Sequence, residues 1–177
     1  MKLVVVAGMP GAGKEELLTV ATGMGFPFVR MGDVVREFYS LSDSESKGLS
    51  VGQFANAERE AHGPDIWARR VMEKAGDGEL CLIDGCRSRK EVETFIALGA
   101  DVTLIAVHAS PKVRYERLVK RARADAPSNI EEFNERDSRE IGWGSAEVIA
   151  LADHIIPNMG GLDSFHESAA ELLRSIR

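Results

Sequence analysis

The chain has 177 residues, enough for one domain with a sizeable buried core. Its apolar fraction of 44% and charged fraction of 28% are those of an ordinary globular protein, and its net charge of −6 argues against a basic surface for nucleic acid. No apolar run approaches the ~20 residues of a membrane span, and neither a signal peptide nor a disulfide framework is recognisable. We therefore expect a cytoplasmic protein that binds neither nucleic acid nor a membrane.

The first predicted element is the apolar strand 3–7, which runs into a glycine-rich loop and then a helix that begins near Lys14. Strand, glycine loop and helix in this order are the context of a phosphate-binding loop. Glycines let backbone N–H groups turn towards phosphate oxygens, the helix start adds positive potential, and Lys14 adds a full charge near the β- and γ-phosphates. The residues predicted to bind the nucleotide here are Gly8, Met9, Pro10, Gly11, Ala12, Gly13, Lys14 and Glu15.

Glu15 stands where the phosphate-loop pattern has Ser or Thr, whose hydroxyl binds Mg²⁺. A carboxylate also binds Mg²⁺, directly or through water. Without a metal, however, a carboxylate about 5 Å from a phosphate charge is repelled by about 3 kcal/mol at an effective dielectric near 20. Glu15 therefore predicts nucleotide binding that is more dependent on metal, or weaker, than in a loop with Ser or Thr.

Downstream, four more apolar strands are predicted, within residues 25–30, 79–84, 102–107 and 153–157. Helices are predicted at 32–39, 51–61, 64–75 and 88–98, from Pro111 onwards, up to about Glu140, and at 162–176. Continuous apolar strands that alternate with helices favour a parallel sheet covered on both faces. The predicted fold is therefore a single three-layer α/β domain over residues 1–177.

Several polar residues follow the second and third strands of the sequence. Asp84 ends a strand and Arg87 follows it, while Asp33 and Arg36 follow the strand before. In an open parallel sheet, ligands bind beside the carboxyl ends of the strands. Asp84 is therefore a candidate Mg²⁺ ligand together with Glu15, and Arg87, Asp33 and Arg36 are candidates for binding a phosphorylated acceptor. An ordinary helix-capping Asp and an exposed Arg explain Asp33 and Arg36 about equally well.

Residues 112–125 carry six basic and two acidic side chains in an otherwise acidic chain. Arg117, Arg121 and Arg123 lead into the polar segment 124–134, and we predict that they contact phosphates, whereas Arg114 and Lys120 are assigned to a solvent-exposed face. Phosphoryl transfer needs positive charge where the transition state spreads negative charge. The predicted catalytic residues are Lys14, Arg121, Arg123 and Arg136.

With these residues assembled, the chain resembles the nucleoside monophosphate kinases of the P-loop superfamily, and in particular an archaeal group of adenylate-kinase-related proteins. The resemblance is carried by the phosphate loop 8–14, by Arg-Met-Gly-Asp-Val-Val-Arg-Glu at 30–37 and by Ile-Asp-Gly-Cys-Arg at 83–87. The second segment is similar to the Thr-Gly-Asp-Leu-Leu-Arg acceptor segment of those kinases, and the third to their Asp-Gly-Phe-Pro-Arg, with one residue fewer. Residues 116–121, 135–137 and 155–158 resemble the helix before the lid, the charged residues after it, and the last strand with its loop.

The resemblance implies ATP as phosphoryl donor and Mg²⁺ as cofactor. It also implies that Arg117 packs on the adenine, that Arg121 contacts phosphates, and that Asn158 lies in the loop that touches the adenine. Residues 32–75 correspond to the acceptor-binding insertion and residues 121–140 to the lid. This chain departs from the family at Glu15 and in having no cysteine cluster in the lid.

The predicted function is ATP-dependent phosphotransfer to a small phosphorylated acceptor, a nucleoside monophosphate for preference. One alternative is a dephospho-coenzyme A kinase, which a roomier acceptor cleft at residues 38–75 would favour. Another is a nucleotide-binding regulator or slow ATPase, for which Glu15 is the best support. Small-molecule nucleotides are the expected partners, and nothing in the sequence indicates a protein partner.

Overall fold

The computed structural model describes residues 1–42, 48–122 and 126–177, so the predicted catalytic residue Arg123 lies outside the described residues. Within these ranges, five strands form one sheet: β1 (Lys2–Ala7), β2 (Phe28–Arg30), β3 (Leu80–Asp84), β4 (Asp101–His108) and β5 (His154–Pro157). Their order across the sheet is β2-β3-β1-β4-β5, and every neighbouring pair is parallel. The predicted five-stranded parallel sheet is confirmed.

The helices of the described residues are α1 (Lys14–Gly23), α2 (Met31–Leu41), α3 (Val51–His62), α4 (Ile66–Ala75), α5 (Arg89–Ala97), α6 (Pro111–Arg121), α7 (Ile130–Gly142), α8 (Ser145–Ala150) and α9 (Leu162–Ile176). No helix was predicted at α8, and the predicted start of α4 is two residues too early. Gly63, at φ 99°, caps the end of α3, and a turn follows before α4 begins at Ile66. None of these helices combines the length and the apolar character that a membrane crossing needs.

The central strand β1 is buried on both faces, which explains its uninterrupted apolar sequence. Leu3 and Val5 pack into one core with apolar side chains of α2 to α5 and α8. Val4 and Val6 point to the other face and pack with α1 and α9. Because helices cover both faces of the sheet, the predicted three-layer α/β architecture is confirmed.

The carboxyl ends of all five strands lie along one edge of the sheet, and the connection after β3 is fixed there by a buried carboxylate. Glu91, which is 1% exposed, accepts hydrogen bonds from the backbone N–H groups of Arg87 and Ser88 at 2.8 and 3.2 Å. The Ser88 side chain in turn accepts from the backbone N–H of Glu91, which completes a capping box at the start of α5. The turn that carries Arg87 is therefore anchored to the core.

Candidate active site

A cleft of about 600 Å³ opens at this edge of the sheet, above the carboxyl ends of β1 and β3. Most of the predicted site residues line it: Gly8, Pro10, Gly11, Gly13, Lys14, Glu15, Asp84, Arg87, Arg117, Arg121, Arg136 and Asn158. Segments that are far apart in the sequence therefore meet at one place, which is the arrangement that a ligand site at the carboxyl ends of parallel strands requires.

Four predicted residues are placed differently. Ala12 and Met9 belong to the loop but are not among the residues that line the cleft, and Ala12 is fully buried. Asp33 and Arg36 lie on α2, more than half exposed, and form an ion pair with each other. They do not line the cleft, so their acceptor-binding role stays a prediction.

The phosphate loop is closely packed, and its last glycine is required for that packing. Gly13 precedes α1 with φ 108°, a backbone conformation that favours glycine. A Cβ atom at this position would lie 2.1 Å from Nδ2 of Asn158. The loop and the residue that follows β5 can approach this closely only because residue 13 has no side chain.

Asn158 ties the phosphate loop to the last strand. Its Nδ2 donates to the carbonyl of Ala12 at 2.9 Å, its Oδ1 accepts from Nη2 of Arg117 at 3.1 Å, and its backbone N–H donates to the carbonyl of His108 at 2.7 Å. Arg117 also donates from Nη1 to the carbonyl of Ala12 at 3.4 Å. The structure thus shows Asn158 and Arg117 in contact with the loop, and their contacts with an adenine stay predictions.

Lys14 folds back over the loop, where its Nζ donates to the carbonyl of Gly8 at 2.6 Å. Burial lowers the pKa of Lys14, and the carboxylates of Asp84, Glu140 and Glu15 oppose that effect. The nearby carboxylates therefore favour the charged form of Lys14, and its ammonium group can exchange the loop carbonyl for an anionic ligand.

Asp84 supplies a buried carboxylate with an unused acceptor. The residue is 9% exposed, and its Oδ1 has no hydrogen-bond partner among the residues that the structure describes. Burial raises the pKa of Asp84, and Lys14 is the strongest of the nearby charges that oppose the shift. An unsatisfied buried oxygen at a ligand cleft is what a metal ion or its bound water would satisfy.

Glu15 is paired with Arg30, a residue to which sequence analysis gave no role. The Nη2 atom of Arg30 lies 3.0 Å from Oε2 of Glu15, and its Nε lies 4.0 Å from Oδ2 of Asp84. Arg30 ends β2 and pairs in register with Asp84 at the end of β3. The sequence feature that could have identified Arg30 is its position at the carboxyl end of a predicted strand, beside the strand that ends in Asp84.

The residues of the cleft fit a magnesium ion held jointly with nucleotide phosphates. The described residues contain no group of three or more His, Cys, Asp or Glu side chains that could hold a metal by themselves. Mg²⁺ in phosphate-transfer sites is bound by one or two carboxylates together with substrate phosphates. Asp84, with its unpartnered oxygen, and Glu15 beside it meet that requirement.

Arg87 is held against the wall of the cleft by the α7–α8 region. Its Nε donates to Oε2 of Glu140 at 3.1 Å, and its guanidinium lies 5.3 Å from the ring centroid of Trp143. Glu140 also accepts from Oγ of Ser145 at 3.4 Å. Glu140 and Ser145 line the cleft, yet sequence analysis did not identify them because their polar segment has no distinctive motif.

The assignment of Arg114 to a solvent-exposed face is wrong. Arg114 is 3% exposed and forms a two-point ion pair with Asp137 on α7, with 2.7 Å between Nη1 and Oδ1. Its guanidinium also donates to the carbonyls of Pro10 and Ala109 at 3.1 and 3.2 Å. Burial is possible because Asp137 supplies the counter-charge from a distant helix. Lys120, which was assigned to the same face, is exposed at the rim of the cleft.

Comparisons with known proteins identify the family. A family model described as an AAA domain matches residues 4–141. The chain is 42% identical over 171 residues to a UPF0200 protein of Thermoplasma volcanium, covering 97% of this chain and 96% of that protein. It is also 42% identical over 173 residues to a UPF0200 protein of Hyperthermus butylicus, covering 97% and 92% of the two chains. The chain belongs to the UPF0200 family and carries the AAA domain. The predicted relationship to archaeal P-loop proteins is confirmed.

Solved structures share the UPF0200 fold over nearly the whole chain. A shikimate kinase from Bacteroides thetaiotaomicron matches with a TM-score of 0.67 and 17% identity, covering 98% of each chain. The protein TT1252 from Thermus thermophilus matches with a TM-score of 0.70 and 15% identity, covering 99% of this chain and 98% of that one. A gluconokinase from Sinorhizobium meliloti matches with a TM-score of 0.61 and 15% identity, covering 99% and 93%. At these identities the likeness concerns the fold, and the predicted P-loop kinase fold is confirmed.

Proposed function

We propose that this UPF0200 protein is an ATP-dependent phosphotransferase that acts on a small phosphorylated acceptor, for preference a nucleoside monophosphate. The observation that carries the proposal is a cluster of cationic side chains around the phosphate loop, in a chain with net charge −6. The cations that line this one cleft include Lys14, Arg87, Arg117, Arg121 and Arg136. Fixed positive charge around a transferring phosphoryl group is the main means by which enzymes of this kind stabilise the transition state.

In this proposal the phosphate loop and Lys14 bind the phosphates of ATP. Lys14 exchanges its hydrogen bond to the Gly8 carbonyl for a phosphate oxygen, and the surrounding carboxylates favour its charged form. Arg117 and Asn158, which are already bonded to the loop carbonyl of Ala12, lie beside the donor. Holding both reactants in one geometry removes much of the entropic barrier to transfer.

Asp84 and Glu15 are the proposed ligands of Mg²⁺. When bound, the ion neutralises charge on the β- and γ-phosphates. The unpartnered Oδ1 of Asp84 supports its role, and the position of Glu15 at the start of α1 supports a second carboxylate contact.

Arg121 and Arg136, together with Arg123 outside the described residues, are proposed to stabilise the transferring charge. Arg121 ends α6 and Arg136 lies on α7, so the two flank the polar segment 124–134 in the sequence, and both line the cleft. Closure of such a segment would exclude water and bring the charges onto the phosphoryl group. The lid itself stays a proposal.

Of the three proposed acceptor residues, Arg87 is the one that lines the cleft together with the phosphate loop. Asp33 and Arg36 would assist from α2 after exchanging their mutual ion pair for the acceptor. The proposed insertion, residues 32–75, contains most of α2 and all of α3 and α4. The cytoplasm stays the proposed compartment.

The packing of these helices favours a small acceptor over dephospho-coenzyme A. The ring of Trp67 lies 6.0 Å from that of Phe38 and 6.1 Å from that of Phe54, and Tyr39 lies 5.4 Å from Phe54. These rings pack in the core between α2, α3 and α4, so a roomier acceptor site would have to form outside that core. The regulator alternative is also weakened, because Arg30 partly neutralises the carboxylate of Glu15 on which it rested.

The proposal is tested by following ADP formation from ATP and Mg²⁺ with each acceptor in turn. The panel contains AMP, CMP, UMP, GMP, their deoxy forms and dephospho-coenzyme A, with shikimate and gluconate added because solved structures of the same fold carry those names. We expect turnover with a nucleoside monophosphate that is abolished in Lys14→Met and retained in Lys112→Met, which removes an exposed lysine outside the cleft. Slow ADP release that no acceptor accelerates would contradict the proposal and favour an ATPase or a regulator.

A further inference from the structure

We propose that Arg30 competes with the divalent cation for Glu15, so that its guanidinium occupies the loop carboxylate whenever the metal is not bound there. The role of this exchange in phosphotransfer rests on the proposed function. The competition itself concerns metal and protein alone and can be measured without any nucleotide.

The geometry places one cation between two carboxylates. Arg30 is bonded to Glu15 through Nη2 at 3.0 Å, and its Nε lies 4.0 Å from Oδ2 of Asp84. Its Nε is buried without a hydrogen-bond partner in the described part of the chain, as is Oδ1 of Asp84. The guanidinium therefore bonds to Glu15 and leaves Asp84 incompletely satisfied. This is the contact pattern of a cation that fills part of a two-carboxylate site.

Arg30 is held at this position by the sheet. It ends β2 in register with Asp84, and its guanidinium lies 5.1 Å from the ring centroid of Phe28 on the same strand. A cation over an aromatic face is attracted to the ring. Arg30 makes this contact while it is bonded to Glu15 and can keep it after leaving Glu15, which makes exchange with a metal ion physically feasible.

The exchange explains how a phosphate loop can carry a glutamate. An uncompensated carboxylate at position 15 would repel nucleotide phosphates, whereas a hydroxyl at the same position would not. With Arg30 bonded to it, Glu15 presents only a partly neutralised charge to the cleft in the metal-free protein. When a metal binds, Glu15 becomes its ligand and Arg30 is released towards solvent and the Phe28 ring. The metal must therefore displace a guanidinium, which weakens metal binding in the absence of phosphates.

The test is a titration of the nucleotide-free protein with Mn²⁺, in which electron paramagnetic resonance measures the free ion. Arg30→Met should bind Mn²⁺ about tenfold more tightly than wild type, the equivalent of about 1.4 kcal/mol, because the metal no longer has to displace the guanidinium from Glu15. Arg30→Met/Glu15→Gln should lose this gain. Arg117→Met is the matched control, because it removes an arginine that lines the same cleft but contacts Asn158 and Ala12.

Two results would overturn the inference. Equal Mn²⁺ affinity of wild type and Arg30→Met would show that Arg30 does not compete with the metal. An equal gain in Arg117→Met, or a gain that survives Glu15→Gln, would show a general charge effect and not competition for Glu15. Arg30→Gln is made in parallel, and thermal unfolding confirms that each variant is folded. Because no step uses ATP or an acceptor, failure here is distinguishable from failure of the proposed kinase activity.

Discussion

Replacing Asp137 by Asn should destabilise this protein far more than an ordinary ion-pair substitution. Arg114 and Asp137 join α6 to α7 with side chains only 4% and 15% exposed. The same guanidinium holds the carbonyl of Pro10 in the phosphate loop at 3.1 Å. The substitution keeps the shape of residue 137 and removes its charge, which leaves Arg114 charged and buried without a counter-ion.

The expected cost follows from this burial. Removing one partner of a buried ion pair costs about 3–5 kcal/mol, because the remaining charge stays desolvated. The introduced amide would keep one hydrogen-bond acceptor for Arg114, so we expect the lower end, about 3 kcal/mol. For a domain of this size each kcal/mol shifts the unfolding midpoint by about 2–4 °C, so the expected shift is about 6–12 °C downwards.

Thermal unfolding followed by circular dichroism measures this shift, and Glu93→Gln is the matched control. Glu93 pairs with Arg89 at 2.9 Å, but the two side chains are 47% and 58% exposed, so its midpoint should stay within experimental error of wild type. ATP affinity should also fall in Asp137→Asn alone, because Arg114, which anchors the loop at Pro10, loses the counter-charge that holds it in place. Midpoints that shift equally in the two variants would refute the argument from burial.

Three further predictions use the same cleft. Asp84→Asn should raise the unfolding midpoint of the nucleotide-free protein at about pH 7. Burial raises the pKa of Asp84, so its ionised form costs stability above that raised pKa. The difference in midpoint from wild type, measured by differential scanning fluorimetry, should shrink as the pH falls through the raised pKa towards the ordinary pKa of an aspartate. Gly13→Ala should weaken ATP binding, measured by calorimetry, by at least about tenfold, since its Cβ would lie 2.1 Å from Asn158 Nδ2. Gly23→Ala should bind ATP as wild type does, because its Cβ would have open space around it among the described residues. Equal ATP affinities of the two variants would contradict the packing argument. Glu15→Ser should bind ATP several-fold more tightly than wild type when EDTA removes the metal, the equivalent of about 1 kcal/mol. Titration with a fluorescent ATP analogue measures the two affinities, and equal values would exclude Glu15 as a source of repulsion.

The sheet and the phosphate loop could be predicted because their signals are local. The apolar run of β1 and the glycines that follow it stand within a few residues of each other, and the loop lines the cleft as expected. Asp84 was located by the same reasoning, since a polar residue directly after a buried strand lies at the ligand-binding edge. α8 was missed because a six-residue helix contains too few turns for a periodic pattern.

Arg114 and Arg30 could not be assigned from the sequence because their partners are remote. Arg114 depends on Asp137, 23 residues later, and Arg30 depends on Glu15, 15 residues earlier. A buried arginine and an exposed one have the same sequence signal when the counter-charge comes from another element. Asp33 and Arg36 show the converse: the chain order placed them near the correct edge, but on the structure they bond to each other.

The central claim, phosphoryl transfer from ATP to a small acceptor, is tested most directly by identifying the product that carries the transferred group. Phosphorus NMR of a reaction with ATP, Mg²⁺ and the acceptor that gives the fastest turnover follows every phosphate species at once. We expect that a nucleoside diphosphate made from the acceptor appears in step with ADP, with no matching release of inorganic phosphate. Inorganic phosphate that accumulates in step with ADP, while every acceptor stays unmodified, would contradict it.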